Sequence, residues 1–188
     1  MKTRDLAYIA LFAAIVAVLG LLPPVPVPGI PVPITAQTLG VMLAGSVLGA
    51  YRGGAALLVF LAVVALGAPI LAGGRGGLSV FFGPSAGYLY SWPIAAFVIG
   101  LLTQLFWRRL NLAWALVANL IGGIVVIYAL GIPFTSFYAD IPLSAAATGS
   151  LAFIPGDLVK VVAASVVAVA VRRAYPVIEL PTRRPAAG

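Results

Sequence analysis

The sequence consists mainly of long apolar stretches separated by short polar or glycine- and proline-rich connections. A membrane-spanning helix requires about 20 predominantly apolar residues, and six stretches of roughly this kind can be delimited. The pattern therefore predicts an all-α integral membrane protein with six transmembrane helices. These helices form a single domain over 1–175, and a basic, flexible C-terminal tail follows over 176–188. The predicted spans cover residues 6–22, 36–50, 54–70, 85–106, 112–131 and 155–174.

Five connections are expected between these spans, and the first span is expected to remain in the protein. A proline-rich segment follows the first apolar stretch, where a signal peptide would have a small-residue cleavage site. The second connection is expected to be a tight turn, and the third is rich in glycine. The connections cover residues 23–35, 51–54, 68–84, 107–111 and 131–154.

The composition supports a lipid environment. Hydrophobic residues make up 63% of the chain and charged residues only 8%, whereas soluble domains contain about 25% charged residues. The chain has no cysteine and no histidine, which excludes disulfides, thiol chemistry and Cys/His metal sites. We therefore expect no metal and no bound cofactor.

The distribution of basic residues predicts the orientation in the membrane. If the N-terminus is cytoplasmic, the termini and the second and fourth connections hold nine of the eleven basic residues. The positive-inside rule favours this arrangement, so both termini are expected in the cytoplasm of a cell with a bacterial-type inner (plasma) membrane. The net charge of +7 thus has a topological meaning and does not indicate nucleic-acid binding. The nine residues are Lys2, Arg4, Arg52, Arg108, Arg109, Arg172, Arg173, Arg183 and Arg184.

Asp157 and Lys160 are the strongest candidates for a binding site. Pro155 suits the first turn of the sixth helix, and the three-residue spacing places both charged side chains on one helix face. Ionisable residues inside membrane segments are costly and mark functional sites by default. The alternative interpretation is a structural ion pair that caps the helix.

The glycine-rich third connection is the second candidate. Gly73 and Gly74 permit close approach of the backbone to a ligand, Arg75 adds a cation, and Phe82 and Tyr88 add apolar surface. Apolar residues in an external loop need cover, so this loop is expected to pack as a lid. No Gly-Lys-Ser/Thr follows the glycines, so the chain has no visible ATPase motif of its own.

Polar residues in other spans could line the same cavity. Thr35, Gln37 and Thr38 begin the second span, and Asn119 lies in the fifth. Each could instead be an interfacial residue or a hydrogen-bond partner of a neighbouring helix.

A stripe of small residues runs along the first span at spacings of three and four. Small residues let helices approach closely, so the stripe serves either internal packing or docking of another membrane protein. Its members are Ala7, Ala10, Ala14 and Ala17.

Three motifs together resemble the BioY family, the biotin-specific S components of energy-coupling-factor (ECF) transporters. They are the stretches 33–41, 67–89 and 155–160, and the resemblance covers nearly the whole chain. It implies the six-helix S-component fold, a biotin cavity near the outer face and no enzymatic activity. It also implies docking of the alanine stripe on a transmembrane coupling subunit (the T component), which carries two ABC-type ATPase subunits.

The resemblance also implies roles for the charged residues. Asp157 and Lys160 match the polar pair of the family on the sixth helix, where a carboxylate suits the ureido N–H groups of biotin and a cation suits its valerate. Whether Lys160 or Arg75 meets the valerate stays open. The alternatives are an S component for another vitamin, a small membrane enzyme that uses Asp157 and Lys160, and a passive pore. A pore would need polar residues along the whole length of several helices, whereas here they cluster at one end.

Overall fold

The computed structural model describes residues 2–175 and 177–178, and within this part the regular structure is helical. Short 3-10 turns lie at Leu78–Phe81, Trp107–Arg109 and Leu151–Phe153, and a π-helical segment, Ile121–Val126, joins α5 to α6. The helices are α1 (Thr3–Leu19), α2 (Gln37–Leu48), α3 (Ala50–Ala65), α4 (Ala86–Leu105), α5 (Leu112–Leu120), α6 (Ile127–Ala139), α7 (Leu143–Ser150) and α8 (Ile154–Ala174).

Helix α4 is the centre of the packing. It contacts α2, α3, α5 and α6, while α1 packs against α2 and α3, and α8 packs against α2 and α5. The core between these helices contains aliphatic side chains and a few aromatic ones, such as Phe60 and Trp92, whose ring centroids lie 5.9 Å apart. Each helix therefore has a face buried inside the protein and a face with exposed apolar side chains, as expected where lipid replaces water.

Three helical stretches of the described chain are long and apolar enough to cross a membrane. They are Ala86–Leu105, Leu112–Ala139 and Leu143–Ala174. Helices α2 and α3 are apolar but shorter, and the 12 residues of α2 extend over only about 18 Å at 1.5 Å per residue.

The turn between the second and third helices is not at the predicted place. It lies at Gly49, which has a φ of 83°, and the predicted turn residues 51–54 belong to the first turns of α3. The prediction treated Gly53 and Gly54 as turn formers. In the structure Gly53 instead lets α3 pack closely on α2, because a Cβ there would lie 2.8 Å from the carbonyl oxygen of Ala44.

The long fifth connection is also different from its prediction. The helix expected to end at residue 131 continues to Ala139 despite Pro133, and α7 occupies much of the remaining connection. Asp140 ends the helix in the left-handed conformation with a φ of 51°. The extension is held in place by tertiary contacts, since the Thr135 hydroxyl donates a hydrogen bond to the Pro84 carbonyl at 2.8 Å.

The predicted C-terminal tail lies largely outside the described residues, which exclude Pro176 and 179–188. Val177 and Ile178 are described and are buried. The carbonyl of Val177 accepts a hydrogen bond from the Arg52 guanidinium at 3.0 Å, so the start of the predicted tail packs against α3.

Gly100 provides a test of how tightly α4 packs on the α2–α3 turn. A Cβ at Gly100 would overlap the backbone of Gly49 and Ala50, which cannot move without shifting the turn. We expect Gly100→Ala to destabilise the protein by about 1–3 kcal/mol, the usual cost of overpacking. Gly83→Ala is the matched control, since no atom lies within 4 Å of a Cβ there. Thermal unfolding of the purified variants measures the difference, and equal Tm values for both would contradict this packing.

Candidate functional site

Asp157 and Lys160 form a closed polar network at the start of α8. The Lys160 Nζ lies 2.8 Å from the Asp157 Oδ1, and it also donates to the Thr35 carbonyl at 2.7 Å and to the Thr38 Oγ1 at 2.9 Å. All three ammonium donors therefore have partners. The side chains are 14% and 6% exposed for Lys160 and Asp157, so the ion pair is largely removed from solvent and ties α8 to the start of α2.

Tyr128 completes this network, although its place in an apolar stretch of the sequence does not indicate this role. Its hydroxyl donates to the second carboxylate oxygen of Asp157 at 2.7 Å. A buried tyrosine hydroxyl usually has a hydrogen-bond partner, but a lone phenol in an apolar stretch does not reveal which one. The π-helical segment Ile121–Val126 ends two residues before Tyr128. A π-bulge changes the direction in which the following side chains point.

The network forms one wall of a cavity of about 560 Å³, part of which is open to solvent. Its lining combines apolar walls with a few polar groups, as small-molecule sites do. The ring centroids of Tyr88, Tyr128 and Phe153 lie 6.0–6.4 Å apart in edge-to-face arrangements and form an aromatic corner of the cavity. The lining residues are Val32, Pro33, Ile34, Thr35, Gln37, Thr38, Leu71, Arg75, Ser85, Tyr88, Leu89, Trp92, Ile127, Tyr128, Phe153, Asp157 and Lys160.

Arg75 reaches the cavity because the glycines before it form a tight turn. Leu71 and Arg75 exchange backbone hydrogen bonds of 3.0 and 3.2 Å, and Gly73 and Gly74 between them have φ values of 79° and 69°, which glycine adopts without strain. These two glycines shape the turn and do not line the cavity. The Arg75 guanidinium makes only long hydrogen bonds, 3.3 Å to the Ala72 carbonyl and 3.5 Å to Ser85.

Gln37 lines the cavity but uses its amide to hold the third connection in place. Its nitrogen donates to the carbonyls of Val16 and Ile70, each at 3.1 Å, and its oxygen accepts from the Ala72 backbone at 2.9 Å. The side chain is only 1% exposed. Gln37 therefore positions the loop that carries Arg75 and fastens this loop to the end of α1.

Besides Gly73 and Gly74, two more of the expected site residues do not line the cavity. Phe82 is 71% exposed and does not line the cavity. Asn119 is completely buried, where it accepts from the Ser46 hydroxyl at 2.9 Å and donates to Ser165 at 3.1 Å. It joins α5 to α2 and α8, which is the interhelical role that the sequence left open as the alternative.

The alanine stripe of α1 divides into two parts. Ala7, Ala10 and Ala14 are exposed, whereas Ala17 packs against the core. Internal packing therefore accounts for the last member of the stripe only, and the first three form a surface on the outside of the helix.

Comparison with known proteins identifies one family and relatives whose names agree with it. The model of the BioY family matches residues 1–177. A protein of Rhizobium etli named biotin transporter BioY is 50% identical over 97% of this chain and 100% of its own length. A Bacillus subtilis protein named probable biotin transporter BioY is 47% identical over 93% of both chains.

A solved structure shows the same fold. The crystal structure of an S-component for biotin from an ECF-type ABC transporter matches with a TM-score of 0.87 and 35% identity, over 92% of this chain and 95% of the other. The family match, the relatives and the shared fold agree with the resemblance carried by the three sequence motifs. The chain is a membrane protein that belongs to the BioY family.

Proposed function

We propose that this chain binds biotin in the cavity beside Asp157 and Lys160 and acts as the S component of an ECF-type vitamin uptake transporter. The observation that carries this proposal is the buried polar network on one wall of an otherwise apolar cavity. The relatives are named as transporters, so we assign Asp157 and Lys160 to ligand binding and not to catalysis.

The hydrogen-bond pattern supports separate roles for the two ends of biotin. The Asp157 carboxylate has about four lone-pair positions and accepts three hydrogen bonds, from Lys160, Thr38 and Tyr128. It retains acceptor capacity for a ureido N–H group. Lys160 has no donor left, so we assign the ureido end of biotin to the Asp157 side of the cavity.

Arg75 is the better candidate for the valerate carboxylate. Its guanidinium is exposed at the cavity and its two hydrogen bonds are long, so a carboxylate can replace them at little cost. An arginine also offers two parallel N–H donors to a carboxylate. The thiophane ring and the aliphatic chain then lie against Tyr88, Trp92 and Phe153.

The proposed orientation has six membrane-crossing helical units, both termini in the cytoplasm and the cavity near the outer face. It is supported by the position of the charges along the helices. On α8, Asp157 and Lys160 lie near the first turn and Arg172 and Arg173 in the last turn. Arg52 lies in the first turn of α3, next to the end of α2 that is away from Thr38. It forms an ion pair with Asp5 at 3.1 Å. Within residues 2–175, the basic residues other than Lys160 and Arg75 thus gather at the end away from the cavity, as the positive-inside rule requires.

The chain has no visible ATPase motif of its own, so ATP-driven transport would need partner subunits. We propose that a transmembrane coupling subunit docks on the exposed alanines of α1 and that two ABC-type ATPase subunits supply the energy. The support is the exposure of Ala7, Ala10 and Ala14 on the outside of the helix, together with the likeness to an S-component of an ECF-type ABC transporter.

Binding of labelled biotin to the purified full-length chain tests the substrate directly. We expect saturable binding that unlabelled biotin displaces and that riboflavin and thiamine do not. Displacement by another vitamin would identify an S component of different specificity. Absence of biotin binding by a folded sample would contradict the proposal.

The roles of the two cations are separated by comparing biotin with its neutral amide. Arg75→Gln is expected to weaken biotin binding about tenfold or more, because a hydrogen bond to a charged group is worth about 1.5–3 kcal/mol. Its affinity for the amide should change little. Arg173→Gln is the matched control, since this exposed arginine lies at the other end of α8.

Lys160→Met should weaken binding of both ligands about equally, because it leaves the Asp157 carboxylate buried without its cation. Isothermal titration calorimetry on the purified variants measures all four affinities. A selective loss of biotin over its amide in Lys160→Met, with none in Arg75→Gln, would reverse the assignment.

Large side chains introduced at the exposed alanines of α1 test the docking surface. Ala10→Trp and Ala14→Trp should bind biotin normally, because these alanines are exposed and do not line the cavity. They should lose ATP-dependent uptake when co-expressed with the coupling and ATPase subunits. Val166→Trp, on an exposed face of α8, serves as the control and should transport normally. Full uptake by both stripe variants would refute docking at this surface.

A further inference from the structure

A basic surface lies at the end of the molecule opposite the cavity, where two distant chain segments meet. The α4–α5 connection supplies Arg108 and Arg109, and the last turn of α8 supplies Arg172 and Arg173. Arg172 joins the segments, since its guanidinium donates to the backbone carbonyls of Leu110 and Arg108. We name Arg108, Arg109, Arg172 and Arg173 the inner basic cluster.

The arginines of this cluster have different tasks. Arg172 is half-buried, and its two carbonyl bonds, together with its position 5.7 Å from the ring centroid of Trp107, hold the connection in place. The guanidiniums of Arg108 and Arg109 are exposed, and in the described part of the chain neither lies within ion-pair distance of a carboxylate. The structure thus positions two uncompensated cations on a fixed turn.

The surface next to these cations is concave and partly apolar. It has a volume of about 550 Å³, which includes space open to solvent, and it is lined by Gln104, Leu105, Phe106, Arg108 and Arg109. Leu105 is 68% exposed. The Phe106 ring stacks on Trp114 with centroids 4.0 Å apart and an interplanar angle of 11°, and tryptophan is typical of the membrane–water interface. Cations and apolar side chains therefore line one depression, and the stacked rings of Phe106 and Trp114 lie at its side.

We propose that this depression binds the phosphate headgroup of an anionic membrane lipid. Arginine holds phosphate through two parallel N–H donors, and basic pockets between helices on the cytoplasmic side bind anionic headgroups. The exposed Leu105 and the partly buried Phe106 fit an acyl chain, which a free phosphate ion lacks. Charge and apolar surface together therefore favour a lipid. The proposal rests on the orientation proposed above, because that orientation places the inner basic cluster at the cytoplasmic leaflet.

The lipid would act on the turn between α4 and α5. This turn contacts the last turn of α8 through Arg172, whereas the cavity lies at the other ends of α4 and α8. Bound lipid therefore neutralises the two cations and anchors this end of both helices in the leaflet without touching the cavity.

The test measures lipid retention by the full-length protein with native mass spectrometry, using phosphatidylglycerol and phosphatidylcholine of identical acyl chains. We expect preferential retention of phosphatidylglycerol. Arg108→Gln with Arg109→Gln should lower its affinity roughly thirtyfold, which corresponds to about 1 kcal/mol for each arginine. Arg108→Lys with Arg109→Lys keeps the charge and should retain most of the binding.

A second charge-removal variant separates a specific lipid site from a general electrostatic attraction of the protein for anionic lipid. Lys2→Gln with Arg4→Gln removes the same charge at the same end of the molecule and should leave lipid retention nearly unchanged. An equal loss in this control, or equal retention of both lipids by the native protein, would overturn the proposal. Displacement of the lipid by millimolar inorganic phosphate would show a free-phosphate site and would also overturn it. Biotin binding, measured on the same samples, reports on the cavity separately from the lipid.

Discussion

The buried ion pair of Asp157 and Lys160 constrains three parts of the molecule at once. Lys160 binds the backbone and side chain at the start of α2, and Asp157 binds the hydroxyl of Tyr128 at the start of α6. A charge that is removed from water is stable only when its partners are complete, so the helices that supply these partners must keep their relative positions. The shape of the cavity wall follows from this requirement.

A second polar centre fixes the third connection beside the cavity. Gln37 hydrogen-bonds the end of α1 and two positions of the third connection, so a single buried amide holds the loop that carries Arg75. Because Gln37 and Thr38 are neighbours in sequence, the start of α2 belongs to both polar centres. The cavity thus has a firmly bonded lysine on the helical side, where all three donors of Lys160 have partners, and its least firmly bonded cation, Arg75, at the loop.

The two ends of the helices carry different chemical groups. One end contains the cavity, its polar network and Arg75, whereas the other end contains the inner basic cluster and the ion pair of Arg52 with Asp5. Between the two ends lies the Asn119 junction, in which three helices exchange side-chain hydrogen bonds away from both surfaces. The exposed alanines of α1 add a third surface, so the proposed contacts with ligand, lipid and partner lie on separate parts of the chain.

Much of the site could be predicted from the sequence, because charges are rare in an apolar chain and each one stands out. The helical class, the family resemblance, the pairing of Asp157 with Lys160 and the approximate positions of the helices followed from hydropathy, charge spacing and motifs. The turn at Gly49 and the continuation of the helix to Ala139 did not, because glycine and proline also occur inside membrane helices when neighbouring helices pack closely against them. Tyr128 and the packing role of Asn119 were decided by the tertiary structure alone. A polar side chain in an apolar helix shows that a hydrogen-bond partner must exist, but only the packing of the helices determines which atom that partner is.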